Sequence, residues 1–145
     1  MTSGTVKAMD QRISFLTLAV RDLGATRKFY LEGLGWEPCT DVPGNVLMFE
    51  VADKVILSLW DVDAFTAEVG QAPGGGVPPI MIAHNLATTD GVDRVLEQAK
   101  VAGAAQVTDA VERDWGGYSG YFVDPDGFRW EICHNPSELG QKVLP

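Results

Sequence analysis

The segment Gly120–Pro136, with the sequence GYFVDPDGFRWEICHNP, carries the clearest structural signal in this chain of 145 residues. Its centre, Asp124-Pro125-Asp126-Gly127, favours a tight turn, because proline fixes φ at a value that turns use and glycine tolerates a positive φ. Apolar and polar residues alternate on both sides of the turn, as in half-buried strands. The pattern therefore predicts two antiparallel strands, Tyr118–Val123 and Phe128–His134.

A strand and a helix precede this hairpin. Ile80, Ile82 and Leu86 have the spacing of one side of a strand, and Thr88 or Thr89 is placed to cap a helix that Gly103 ends. A further strand is expected around Ala105–Thr108. The apolar stripe of the helix has a period of 3.6 residues and consists of Val92, Val95, Leu96, Ala99 and Ala102.

The first half of the chain repeats this order of elements. Leu16, Leu18 and Val20 share one side of a predicted strand, and Asp22 is placed to cap a helix that ends near Gly33 and Gly35. Two strands then follow at Val46–Val51 and Val55–Trp60. Both halves therefore predict a strand, a helix and then further strands.

A segment rich in proline and glycine, Gln71–Pro79, separates the two halves, because it can neither continue a helix nor lie inside a sheet. The sequence therefore predicts one structural domain over 12–136 that contains two modules, 12–70 and 80–136. A flexible arm is expected over 1–11 and a tail over 137–145.

Composition limits the classes of partner. The formal charge of −9 argues against nucleic acid or an anionic membrane as the main partner, because binding to phosphate needs clustered lysine and arginine. A neutral or cationic small molecule is permitted. Two cysteines, Cys39 and Cys133, are too few for a disulfide framework and are expected as reduced thiols. No signal-peptide pattern is present in the sequence, so a cytoplasmic protein is expected.

Two segments resemble the vicinal oxygen chelate superfamily, which includes glyoxalase I, bleomycin-resistance proteins and extradiol dioxygenases. They are Phe15–Trp36, FLTLAVRDLGATRKFYLEGLGW, and the hairpin segment Gly120–Pro136. The resemblance implies an α+β fold in which two βαβββ modules form an incompletely closed eight-stranded barrel around a pocket. It also implies a homodimer.

The resemblance further indicates where metal-dependent members carry their ligands. Those four positions correspond here to Phe15, Ser58, Met81 and Glu131. One carboxylate among such residues does not suit a divalent ion, which needs several nitrogen or oxygen donors. No metal and no other cofactor is therefore expected. A shift of the alignment by a few residues would make His84 the alternative ligand, although its spacing places it on the helix side of the strand.

Glu131 is the residue most expected to have a function. Alternation turns it away from the apolar face of its strand, and a carboxylate in an aromatic cavity suits a general base or an anchor for a cation. A salt bridge with Arg129, or the remnant of a lost metal site, are the structural alternatives. The complete set of residues expected to bind the ligand is Phe15, Ser58, Trp60, Met81, Trp115, Tyr118, Tyr121 and Glu131.

Several of these residues have competing structural interpretations. The segment 114–121 combines three aromatic residues with three glycines, and it fits either a wall over a ligand or a bulge and turn. Trp60 could line the cavity or fill the core. His84 is expected to be buried or half-buried and hydrogen-bonded to the backbone, with a role in the pocket as the alternative. His134 is expected to be a capping or edge residue at a strand end, and Cys133 to be packed and unreactive.

Three functions therefore compete, and the third is a structural or regulatory module that keeps the fold without a working pocket. The first is a metal-independent binding protein, similar to the bleomycin-resistance group, that holds a small organic ligand of cationic or aromatic character. The second is a glyoxalase-like lyase or isomerase, or a dioxygenase-type enzyme, that uses Glu131 as a base or residual metal ligand. The sequence does not decide between them.

Overall fold

The first module contains four strands and a short helix. The computed structural model of the protein describes residues 9–145, so most of the arm expected over 1–11 lies outside the described residues. The elements are β1 (Phe15–Val20), α1 (Leu23–Arg27), β2 (Thr40–Val42), β3 (Val46–Ala52) and β4 (Val55–Asp61).

The first helix differs from the regular helix that the sequence predicts. Asp22 caps it as expected, since its side chain accepts from the Ala25 N–H, but after Arg27 the chain continues as a π-helical turn over Lys28–Gly33. The wider turn is accompanied by complete burial of two consecutive aromatic residues, Phe29 and Tyr30.

The second module has the predicted order of elements, with Thr88 rather than Thr89 as the cap of its long helix. Four short elements were not placed by the sequence pattern: β2, α2, β7 and α4. None of the helices in residues 9–145 is long and apolar enough to cross a membrane. The elements after β4 are α2 (Val62–Val69), β5 (Met81–Asn85), α3 (Thr89–Ala102), β6 (Gln106–Val107), β7 (Val111–Glu112), β8 (Tyr118–Val123), β9 (Arg129–His134) and α4 (Glu138–Lys142).

The strands form two sheets. The first has the order β1-β4-β3-β2, and the second has the order β5-β9-β8-β6 with β7 paired to β8. The outer pairs β1–β4 and β5–β9 are parallel, and the other pairs are antiparallel. The predicted α+β fold class is confirmed. The described residues contain nine strands rather than eight, because the two-residue β7 lies in the segment between β6 and β8.

One core joins the two modules. Each sheet has an inner face, which contributes buried residues such as Leu59 and Ile132 to a single apolar cluster together with the helices. The π-helical turn packs on the second sheet, where the ring centres of Phe29 and Phe122 are 5.7 Å apart. The opposite, outer faces of both sheets therefore point away from the shared core.

A buried hydrogen-bond network crosses between the modules. The Tyr30 hydroxyl donates to Asp124 Oδ2 at 2.8 Å and accepts from Trp130 Nε1 at 2.9 Å. Asp124 Oδ1 accepts from the backbone N–H groups of Asp126 and Phe128, which closes the predicted turn. Burial raises the pKa of Asp124, and these hydrogen bonds oppose that rise.

Tyr30→Phe should strongly destabilise the protein. The substitution leaves Trp130 Nε1 without its acceptor and Asp124 Oδ2 without its donor, and each unsatisfied buried group costs about 1–3 kcal/mol. We expect the free energy of unfolding to fall by at least about 2 kcal/mol, measured by urea denaturation at neutral pH.

Tyr118→Phe is the matched control, because the Tyr118 hydroxyl also donates to a carboxylate, that of Asp93, but at an exposed position. It should change stability by less than about 1 kcal/mol. Equal losses in the two variants would contradict the assignment of the buried network as the junction of the modules.

Candidate functional site

The outer face of the second sheet places Glu131 among other polar residues. Glu131 on β9 is paired with Tyr121 on β8 and with Ala83 on β5, and paired residues present their side chains on the same face. Met81 and Arg129 are paired on the same face, one step along the sheet. The expected orientation of Glu131 away from the apolar core is therefore observed.

Glu131 is held by a tyrosine and not by Arg129. The Tyr121 hydroxyl donates to Glu131 Oε2 at 3.2 Å. The guanidinium of Arg113 lies 5.6 Å from the centre of the Tyr121 ring and donates to the hydroxyl and the carbonyl oxygen of Ser119. The carboxylate is half-buried. The hydrogen bond fixes its direction, and its other oxygen has no hydrogen-bond partner among the described residues.

The surroundings of Glu131 favour the neutral forms of the Tyr121 hydroxyl and the Cys133 thiol. Burial, the charge of Glu131 and the hydrogen bond to it all raise the pKa of Tyr121. Burial, followed by the charge of Glu131, raises the pKa of the Cys133 thiol. Cys133 is 3% exposed, so its thiol is packed and protonated at neutral pH, in keeping with the interpretation of an unreactive cysteine.

Glu131 opens into a cavity of about 430 Å³, which we call the outer pocket. One wall is the hairpin turn between β7 and β8, where Gly116 donates to the Arg113 carbonyl and the Trp115 indole folds over Gly117. Another wall is α4, which lies directly against Asn135. The lining residues are Asn85, Trp115, Glu131, Cys133, Asn135, Leu139, Gly140 and Val143.

Three of the expected ligand-binding residues lie on the outer face of the first sheet. Phe15 is 55% exposed, whereas Ser58 is only 3% exposed. The Trp60 ring packs edge-on against Phe65 of α2, with ring centres 6.0 Å apart. The unpredicted helix α2 therefore covers part of this face beside Trp60.

The structure does not bring all the expected residues into one cavity of this chain. Glu131 and Trp115 share the outer pocket, Met81 and Tyr121 lie on the same face of the second sheet, and Phe15, Ser58 and Trp60 lie on the other sheet. Tyr118 lies on the inner face, because it is an odd number of residues from Ser119 and Tyr121, which are on the outer face. In agreement with this, its hydroxyl donates to Asp93 of α3.

The two histidines lie apart from Glu131. His134 Nδ1 is 3.1 Å from the carbonyl oxygen of Leu86, which fits the expected position at a strand end. His84 is on the inner face, as its spacing predicts, but it is exposed and has no hydrogen bond to another described residue. The expectation that its ring would be bonded to the backbone is therefore wrong.

The residues present do not fit a divalent metal. Of the four positions that the family uses for ligands, only Glu131 offers a strong donor, while Phe15 and Met81 offer none and Ser58 is a buried hydroxyl. Within residues 9–145, no group of three or more His, Cys, Asp or Glu side chains converges. This chemistry supports binding or proton transfer at a single carboxylate.

Sequence reasoning missed the elements that complete the walls. Phe65 belongs to α2, which Asp61 caps and Gly70 ends in a left-handed conformation. Leu139 lies in α4 and Val143 follows its last residue, and the Ser137 side chain caps the start of the helix. Both helices carry ordinary capping signals, so a search for a capping residue after each last strand would have found them.

Comparison with known proteins places these features in a family. A model described as the Glyoxalase/Bleomycin resistance protein/Dioxygenase superfamily matches residues 12–132. No curated protein matches the chain significantly. Among solved structures, a glyoxalase-related enzyme from Fulvimarina pelagi is 33% identical, with a TM-score of 0.80 over 88% of this chain and 90% of that chain.

Two further structures are similar to this chain. A glyoxalase/bleomycin resistance protein/dioxygenase from Nocardioides is 26% identical, with a TM-score of 0.73 over 92% of each chain. A lactoylglutathione lyase from Agrobacterium tumefaciens is 23% identical, with a TM-score of 0.67 over 88% of this chain and 96% of that chain. At 23% identity, the likeness to the lactoylglutathione lyase shows the fold alone.

Gly140→Ala should loosen the wall that α4 forms. A Cβ atom at this position would lie 2.1 Å from the carbonyl oxygen of Asn135, so the helix must shift. In a Cys39→Ser background, which removes the exposed thiol, we expect Cys133 to react with a thiol reagent about tenfold faster, equivalent to about 1.4 kcal/mol of local opening.

Gly74→Ala provides the control, since a Cβ there would meet nothing within 4 Å. Its labelling rate should match that of the Cys39→Ser parent. An unchanged rate in Gly140→Ala would mean that α4 does not shield Cys133.

Proposed function

The chain belongs to the glyoxalase/bleomycin resistance protein/dioxygenase superfamily, and we propose that it binds a small organic ligand in the outer pocket without a metal ion. The observation that carries this proposal is the composition of that pocket. Among the described residues, Glu131 is the only charged residue that lines it. Trp115, which is 54% exposed to solvent, supplies an aromatic wall. A cavity of about 430 Å³ falls within the usual range for ligand pockets.

The ligand that fits these walls is cationic or aromatic. A carboxylate and an indole face both attract a cation, and the indole also offers flat contact area. The formal charge of −9 raises the concentration of cations near the whole surface. Tyr121 holds the direction of the Glu131 carboxylate, which lowers the entropy cost of binding.

Metal independence is supported by the donor set. A divalent ion needs several converging nitrogen or oxygen donors, and the four family positions supply only Glu131 in that role. The ligand would therefore be held by Glu131 itself rather than through an ion. No step of the proposed binding is routed through a metal.

A homodimer would complete the cavity. Phe15 and Met81 are apolar residues on the two outer faces, and they are 55% and 50% exposed in the single chain. Exposed apolar groups of this kind are favourable to bury at an interface. We propose that the outer face of the first sheet of one copy lies over the outer face of the second sheet of its partner.

The two modules, 12–70 and 80–136, would act as units of this assembly, joined by the segment Gln71–Pro79. We further propose that the protein is cytoplasmic. Both cysteines, Cys39 and Cys133, are unpaired, which is usual in a reducing compartment.

One observation favours a second candidate, a glyoxalase-like lyase or isomerase or a dioxygenase-type enzyme. Glu131 lines the pocket and accepts a hydrogen bond from the Tyr121 hydroxyl. Held in this way, the carboxylate could accept a proton from a bound substrate and keep it. In this alternative Glu131 is the catalytic base, and its loss would abolish turnover more than binding.

Glu131→Gln should weaken binding of a cationic aromatic probe. With proflavine as the probe, we expect Kd measured by fluorescence titration to rise about fivefold or more, because the neutral amide loses the ionic attraction. Binding to the unmodified protein should be the same with and without EDTA. The comparison compound is S-methylglutathione, which is anionic at neutral pH and should therefore bind more weakly than proflavine.

Glu112→Gln is the control, since Glu112 is exposed on β7 and lies outside the outer pocket. Its Kd for proflavine should be unchanged. Equal affinities of Glu131→Gln and the unmodified protein, or loss of binding in EDTA, would refute the proposal. Retained S-methylglutathione binding with a loss of turnover in Glu131→Gln would favour the lyase alternative.

Phe15→Asp should prevent dimer formation, because it places a charge at the centre of the proposed interface. Light scattering after size exclusion should give about twice the chain mass of 15.7 kDa for the unmodified protein and the single mass for the variant. Val101→Asp, at an apolar residue 80% exposed on α3, should remain dimeric. A single-chain mass for the unmodified protein would exclude the shared cavity.

A further inference from the structure

A second cavity lies on the inner side of the sheets, away from Glu131. It has a volume of about 440 Å³ and opens between β1 and β5, and we call it the inner pocket. Leu16 and Leu57 of the first sheet line it on one side, and Ile82 and Trp130 of the second sheet line it on the other. Because these side chains belong to inner faces, the inner pocket is distinct from the outer pocket.

The floor of the inner pocket is aromatic and rigid. Trp36 packs edge-on against both Phe49 and Trp130, with ring centres 5.2 Å and 5.7 Å apart. Trp130 is fixed by its hydrogen bond to the Tyr30 hydroxyl. Trp36 is the partly exposed ring of this floor, and Phe49 and Trp130, which are 2% and 5% exposed, hold it in place before a ligand arrives, which reduces the entropy cost of binding.

The rim of the inner pocket is acidic. Glu37 follows Trp36 in the chain and is exposed. The Glu50 side chain belongs to the outer face, because Glu50 is paired with Ile56 and Ile56 with Phe15. Among the described lining residues there is no lysine or arginine. The other ionisable residue of the rim is His84, and desolvation lowers the pKa of its imidazole, so that the neutral ring is favoured and does not repel a cation.

We propose that the inner pocket is a second ligand site, which binds a small organic cation with an aromatic ring. The ring would lie against Trp36, and the cationic group would lie toward Glu37. An aromatic wall beside a carboxylate, with no competing cationic side chain among the described lining residues, is complementary to this class of molecule. The site does not rest on the proposed function of the outer pocket, because it shares no lining residue with it.

The test compares 2-phenylethylammonium with its neutral analogue 2-phenylethanol. Glu37→Gln should raise the Kd for 2-phenylethylammonium about threefold, measured by calorimetry at low salt, because the exposed carboxylate at the rim is lost. The Kd for 2-phenylethanol should not change. Trp36→Phe should reduce the tryptophan quenching that accompanies binding, because Trp36 lines the cavity.

The matched control is Glu68→Gln, which alters the net charge equally at an exposed position outside both pockets. It should leave the Kd for 2-phenylethylammonium unchanged. An equal loss in the two variants would show general charge attraction and overturn the proposal. Absence of saturable binding, or a loss of binding only in Glu131→Gln, would also overturn it, and the latter would assign the probe to the outer pocket.

Discussion

The structure depends on a single buried hydroxyl, that of Tyr30. It donates to Asp124 in the turn of the second module and accepts from Trp130 of the adjacent strand, while its own ring belongs to the helix of the first module. Three polar groups that would be costly to bury alone satisfy one another. Because the network is specific in direction, it fixes how the first helix lies on the second sheet, and with it the inner pocket, whose lining residues come from both modules.

This arrangement explains which parts of the fold the sequence predicts. The turn at Asp124–Gly127 and the alternation around it depend on local chemistry, so the hairpin and the orientation of Glu131 follow from the residues themselves. The eight-residue helix α2 has no buried residue, and its Phe65 gains its partner, Trp60, through tertiary contact. Tyr118 and Tyr121 look alike in the sequence, but strand parity separates them onto opposite faces.

Placing the helices between the sheets has a consequence for the candidate sites. Most residues of both inner faces are buried in the common core. Where no helix covers the inner faces, the inner pocket opens beside His84. Period-two spacing predicts the face that His84 occupies, but it contains no information on whether a helix covers that position. Its exposure could therefore not be predicted from β5 alone, and neither could the cavity it borders.

The distribution of charge separates the arginines from both pockets. Within residues 9–145 the ion pairs are Arg12–Asp10 and Arg27–Asp41, while Arg113 is held by Ser119. None of these three guanidinium groups lines either pocket, although Arg113 is near enough to lower the pKa of the Cys133 thiol. Glu131 has no ion pair among the described residues, so its charge beside the Trp115 ring is only partly offset by Arg113. An acidic net charge would by itself attract any cation, but this placement selects cations that also carry apolar surface.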